Sequence, residues 1–246
     1  MATAQALPMP SITPYRKAVR FLEKYFYLLM SLLIAAVVVF GFSHTIGGRL
    51  IYAKYRRPSL VWVHALLFFG WVVFYILQSS LVRIRKVRLH RTLGWAGAAL
   101  GVSMVVVGCR VAVVMARFDA LHFHANKEAF LIVQFFDMFA FAVALGLAIL
   151  WRKNPAIHRP LMLLATCVLT DAAFGRIPGM GHMEYSYSGV DALILLGGLR
   201  DLAVNRRIHN IYLASIPLLL AGEAATVYIL RHKPAFWMRF AHAVIG

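Results

Sequence analysis

The 246-residue chain is 61% hydrophobic, only 14% charged, and carries a formal net charge of +17. That charged share is far below the roughly 25% of soluble domains, which excludes a soluble enzyme or a soluble binding module. The positive charge does not signal nucleic acid either. The basic residues sit at the ends of apolar stretches, where anionic headgroups and the positive-inside bias account for them, and no soluble face is left to carry a nucleic-acid site.

Residues 1–13 (MATAQALPMPSIT) are small, polar and proline-containing, and are expected to form a disordered tail ahead of a single domain over 14–246. The first apolar run starts after Lys24 and no small-residue cleavage site follows it, so it reads as an uncleaved span rather than a signal peptide. A helix crossing needs about 20 mostly apolar residues. Stretches of that kind fall at 22–42, 60–82, 92–116, 128–151, 159–177, 187–203 and 209–230. The sixth is the weakest, because Arg200 and Asp201 interrupt it. In lipid every backbone polar group needs an internal partner, which leaves helices or closed barrels. Runs such as LLMSLLIAAVVVFGF are continuous and lack the alternation of barrel strands. The fold expected is therefore all-α, a polytopic membrane bundle of about seven transmembrane helices.

Along the chain, ionisable residues recur at the helix ends and inside the spans. His44 closes the first span. In the second, His64, Trp71 and Gln78 are seven apart and fall on one helical stripe, which should face the bundle. Gly94, Gly97 and Gly101 mark close helix packing in the third, which also carries Cys109 and Arg110. His122 and His124 follow in ALHFHANKE, where both rings share a side only if the segment is extended. Gln134 and Asp137 share a face of the fourth span. The fifth holds Cys167, Asp171 and Arg176, and the sixth Asp191. The seventh holds Glu223 and Pro217, the only clear internal proline of a span. At 1.5 Å per residue the two cysteines lie roughly 13 Å apart in depth, beyond disulfide reach, and read as packing residues.

Three connections repeat a pattern: RIRKVRLHRTLGW, WRKNPAIHRPLML and AVNRRIHNIYLA each run basic, then aliphatic, then His, at His90, His158 and His209. Such a histidine at headgroup level either anchors a helix or handles protons or a metal. A charge at a helix centre in the bilayer costs about 2.5–3.5 kcal/mol by insertion scales, so Arg110, Asp137, Asp171, Arg176 and Glu223 are expected to face the bundle and find partners. They either form ion pairs or orient a metal, a haem or a transported ion. No HExxH, CxxC, phosphate-binding loop or dinucleotide fingerprint is present, and the sequence identifies no enzymatic reaction. The basic residues favour a cytoplasmic N-terminus modestly, with Arg56 and Arg57 on the opposite side as the main objection.

The stretch PSLVWVHALLFFGWVVFYILQSSLVRIRKVRLHRTLGWAGAALGVSMVVVG, and later NPAIHRPLMLLATCVLTDAAFGRIP, resemble a group of uncharacterised bacterial multi-span membrane proteins with His-led helices. The resemblance covers 60–180 and implies a place in the bacterial inner membrane. A looser similarity to membrane factors that assemble haem–copper oxidases implies roles for His64, His90, His158, Asp171 and Arg176. The chain departs from the group in WVHALL, which has one histidine where relatives often carry two, so no bis-His site lies in that helix.

These features converge on a leading expectation and two alternatives. In the first, haem or copper binds through His44 and His64 at one depth and His90 and His158 at another, with His64, His122 and His124 as further metal candidates. Its role would be oxidase assembly or membrane redox beside respiratory-chain membrane proteins. In the second, Asp137, Asp171 and Glu223 form a proton or cation path. In the third, the protein is a non-catalytic membrane partner subunit.

Overall fold

A computed structural model describes residues 14–246; the predicted disordered tail at 1–13 lies outside the described residues. The described chain is helical throughout. In order it forms α1 (Pro14–Ser43), α2 (Ser59–Arg83), α3 (Val87–Phe123), α4 (Leu131–Leu150), α5 (Pro155–Val168), the single turn α6 (Asp171–Phe174), α7 (Met183–Asn205), α8 (Asn210–His232) and α9 (Ala235–Ile245). A short π-helical turn, Gly47–Ile51, lies between α1 and α2.

Helix starts are set by local chemistry. Pro58 and Pro234 precede α2 and α9, where a fixed φ suits helix entry and a missing N–H costs nothing. Asn154 caps α5 by accepting from the Ala156 N–H at 3.1 Å, with Pro155 at the first helical position. His209 caps α8, its Nδ1 accepting from the Ile211 N–H at 3.2 Å. Helix α3 stops at His124, α7 at Arg206 and α8 at Lys233, each in the left-handed region that closes a helix terminus.

Among the described residues, six helical stretches are long and apolar enough to cross a membrane: Arg16–Ser43, Ser59–Arg83, Val87–Phe123, Leu131–Leu150, Pro155–Phe174 and Asn210–His232. The chain is an integral membrane helical protein, with six apolar spans where the sequence predicted seven. The difference is α7. It is a 23-residue helix, about 35 Å at 1.5 Å per residue, but Glu184, Asp191, Arg200 and Asp201 leave it too polar to count as an apolar span. It packs against α1, α5, α6 and α8 instead.

The core is built where the helices meet. Ile34 of α1, Trp71 of α2, Met104 of α3, Phe141 of α4, Leu163 and Cys167 of α5, Ile194 of α7 and Tyr212 of α8 are all buried there. Gly41 lets α1 lie against α6, since a Cβ at that position would sit 2.3 Å from the Ala173 carbonyl oxygen. Both cysteines are free, Cys167 buried and Cys109 half-buried, as their depths predicted.

The two ends of the bundle differ. At the basic end lie the α2–α3, α4–α5 and α7–α8 connections, rich in Arg and Lys. At the far end α3 outruns the bilayer: 37 residues give about 55 Å, against a hydrocarbon thickness of about 30 Å. Its last turns support α9. Trp237 and Ala241 pack on Ala112, Ala116 and Leu131, and Arg117 donates to the Val244 and Ile245 carbonyls, closing the C-terminus of α9 with a cation. Arg57, half of the pair that weighed against the predicted orientation, is held there by Asp119 at 3.6 Å and lies 4.9 Å over the Phe118 ring. Its position follows from these contacts.

Candidate functional site: carboxylates inside the bundle

The carboxylates predicted to face the interior do so, and they converge. Asp137 comes from α4, Asp171 from the break between α5 and α6, and Glu223 from α8. Asp191 of α7 joins them. The break arises after Val168, where the Thr170 hydroxyl turns back to donate to the Cys167 carbonyl at 2.6 Å. A hydroxyl bonded to its own backbone favours a turn over a continuing helix, and the turn carries Asp171 into the interior. Asp171 and Glu223 are each 6% exposed.

The side chains act on one another in pairs: Asp137 with Asp171, Asp171 with Ser186, and Asp191 with Glu223. One oxygen of Asp137 and one of Asp171 are buried with no hydrogen-bond partner. Arg176 is close enough to act through space on both Asp171 and His64, while its guanidinium bonds the Ala172 carbonyl and lies 4.3 Å over the Phe42 ring. Arg176 is thus a cation that acts on Asp171. Arg110 is not: it is exposed on the outer face of α3, where a long side chain snorkels to the interface.

Several predicted histidine arrangements are not formed. His44 is exposed, bonds the Phe40 carbonyl of its own helix at 2.8 Å and packs edge-on to that ring. No ring contact joins it to His64, which instead lies 4.0 Å from the Phe68 ring one turn along its own helix. His122 and His124 diverge because α3 runs through Phe123 and the segment is not extended. His122 is helical, bonds the Phe118 carbonyl at 3.0 Å and stacks on that ring, while His124 is the exposed cap. His90 and His158 do come together, with ring centroids 6.3 Å apart, and His158 Nδ1 is tied to the Ala148 carbonyl at 2.8 Å. Among the described residues, no group of three or more His, Cys, Asp or Glu is arranged to hold a metal ion.

Two features sequence reasoning did not single out complete the site. Tyr187, 4% exposed, points its hydroxyl toward Thr226 near the carboxylates but makes no hydrogen bond. A groove of about 440 Å³ opens between α7 and α8, with Tyr187, Asp191 and Glu223 inside and Glu184, Arg231 and His232 at the far end. The signal was present in the spacing. Glu184, Tyr187 and Asp191 are three and four apart, as are Leu220, Glu223 and Val227, so each set forms one helix face.

Fold and site together define a polytopic α-helical membrane protein with an acidic interior. Against protein-family models, curated proteins and solved structures, the chain matches none.

Proposed function

We propose that this is a proton/cation-coupled transport bundle, in which Asp137, Asp171 and Glu223, joined by Asp191, exchange protons for a cation. The observation that carries this reading is the convergence of four carboxylates from different elements inside an apolar bundle. Like charges that act on one another in so poor a solvent require neutralisation by bound protons or by a cation. One nearby arginine does not balance four carboxylates.

The groove and the packing beside it support access from one side, as alternating exchange requires. The groove leads from the α9 end to Glu223 and Asp191. Toward the basic end the way is closed by packing: Phe141 is one turn from Asp137 and Cys167 one turn from Asp171, both fully buried beside Trp71 and Met104. The bacterial inner membrane, with the basic end in the cytoplasm, fits the charge distribution. The test is infrared difference spectroscopy of the protein in lipid across a pH titration. A protonated-carboxyl band that titrates reversibly is expected; no titrating carboxyl at any pH that leaves the fold intact would overturn the proposal.

A second reading, haem or copper bound for oxidase assembly or membrane redox, rests on His90 and His158. With Nδ1 of His158 on a carbonyl, its Nε2 is left in the orientation a metal ligand takes. Two imidazoles without a third ligand are a weak fit to copper, and the His44–His64 and His122–His124 sets do not support it. An optical spectrum with elemental analysis of the purified protein decides. A band near the Soret region that shifts on reduction, or stoichiometric copper, would favour this reading over transport.

A further inference from the structure

The α7–α8 groove differs from a path for protons or small ions in size and lining. At about 440 Å³ it falls in the range of small-molecule sites, roughly 300–1,000 Å³. Its rim is exposed at Leu220, Ala224 and Tyr228, so it opens sideways along the flank of the bundle, where a membrane protein meets lipid. Its floor is polar: Glu223 is buried, Asp191 is half-buried, and the two carboxylates act on each other. Leu220 and Val227 form the apolar wall. A hard cation such as Ca²⁺ takes six to eight oxygens around it, and this wall supplies none. An organic cation needs only a charged partner at one end and apolar surface along the rest.

The acidic pair does not stand alone. Tyr187, 4% exposed, lines the same groove, and its hydroxyl is buried without a hydrogen-bond partner. A buried hydroxyl left unpaired costs free energy that a ligand donor or acceptor restores. At the far end Glu184 and Arg231 pair across the two helices and Tyr228 stacks on His232 at 4.3 Å, which marks the mouth of the groove.

We propose that the α7–α8 groove binds a hydrophobic organic cation, with its ammonium group between Asp191 and Glu223 and its apolar body along Leu220 and Val227. This names the cation in the exchange proposed above and rests on that reading. The ammonium replaces one of the protons that otherwise neutralise the pair, so binding releases one proton and charge balance is kept.

The experiment uses the full chain in phosphatidylcholine nanodiscs. The probe is dansylcadaverine, a fluorophore ending in one primary amine, compared with the same fluorophore ending in a hydroxyl. Saturable binding of the amine, at least about tenfold tighter than the alcohol, is expected from a charge-assisted contact. The double variant Asp191→Asn with Glu223→Gln should lose that preference. Leu220→Trp, which fills the groove and leaves the carboxylates, should weaken binding about tenfold or more. Equal binding of amine and alcohol, or amine binding unchanged in both variants, would overturn the proposal. The infrared titration contains no amine and separates the two claims. A titrating carboxyl without amine binding sinks the choice of cation alone; amine binding without a titrating carboxyl sinks the exchange.

Discussion

Asp171→Asn should slow proton movement into proteoliposomes by at least about tenfold, since it removes a titrating group while keeping shape, and should leave the fold as stable as before or more so. The two readouts separate two roles for one residue. Asp171 is 6% exposed, has one oxygen without a partner, and shares its site with Asp137, Ser186 and the charge of Arg176. If its task were to neutralise Arg176, breaking that pair would leave a buried cation uncompensated and cost about 3–5 kcal/mol. If its task is to hold and release a proton, the neutral amide relieves repulsion from Asp137, and stability does not fall. Arg176 also bonds the Ala172 carbonyl and lies over Phe42, so it does not depend on Asp171 alone. Lost stability together with unchanged proton movement would assign Asp171 to structure and overturn its part in transport.

Much of this was legible in the sequence, for a physical reason. Continuous apolar runs have one stable form in lipid, and a charge in such a run must turn inward. The stripe of His64, Trp71 and Gln78 behaves as its spacing predicts: Trp71 and Gln78 are buried and His64 is half-buried. Depth was legible too, which is why Asp137, Asp171 and Glu223 share a zone. What depth does not encode is azimuth. His44 and His64 were matched by depth, but each ring settles on its own helix, against Phe40 and Phe68. Arg110 lies at a plausible depth on the wrong face of α3. The His122–His124 pair required a guess between helix and extended chain, and the helix continues one residue too far for it. The groove was missed because it belongs to two helices at once: each contributes a modest polar stripe, and only their packing makes a cavity.

Helix α7 shows the cost of polarity in the bilayer and yields the second large effect. Asp201→Ala should destabilise the protein by about 3–5 kcal/mol, measured by thermal or denaturing-detergent unfolding in mixed micelles. Arg200 and Asp201, which made this the weakest predicted span, form a buried pair at 2.8 Å with side chains 12% and 5% exposed. Asn205 reaches the same carboxylate oxygen at 3.4 Å, and the guanidinium lies 5.8 Å from the Tyr27 ring and 6.0 Å from that of Phe26 on α1. The pair therefore ties the polar helix to the first span, and without Asp201 the guanidinium stays among aromatic rings with no counter-charge. Removing both charges, as Arg200→Leu with Asp201→Ala, should cost less than the two single changes combined, because no charge is then stranded. Strict additivity would mean that the two charges do not act on each other and that the apolar contacts of α7 alone hold it in the bundle.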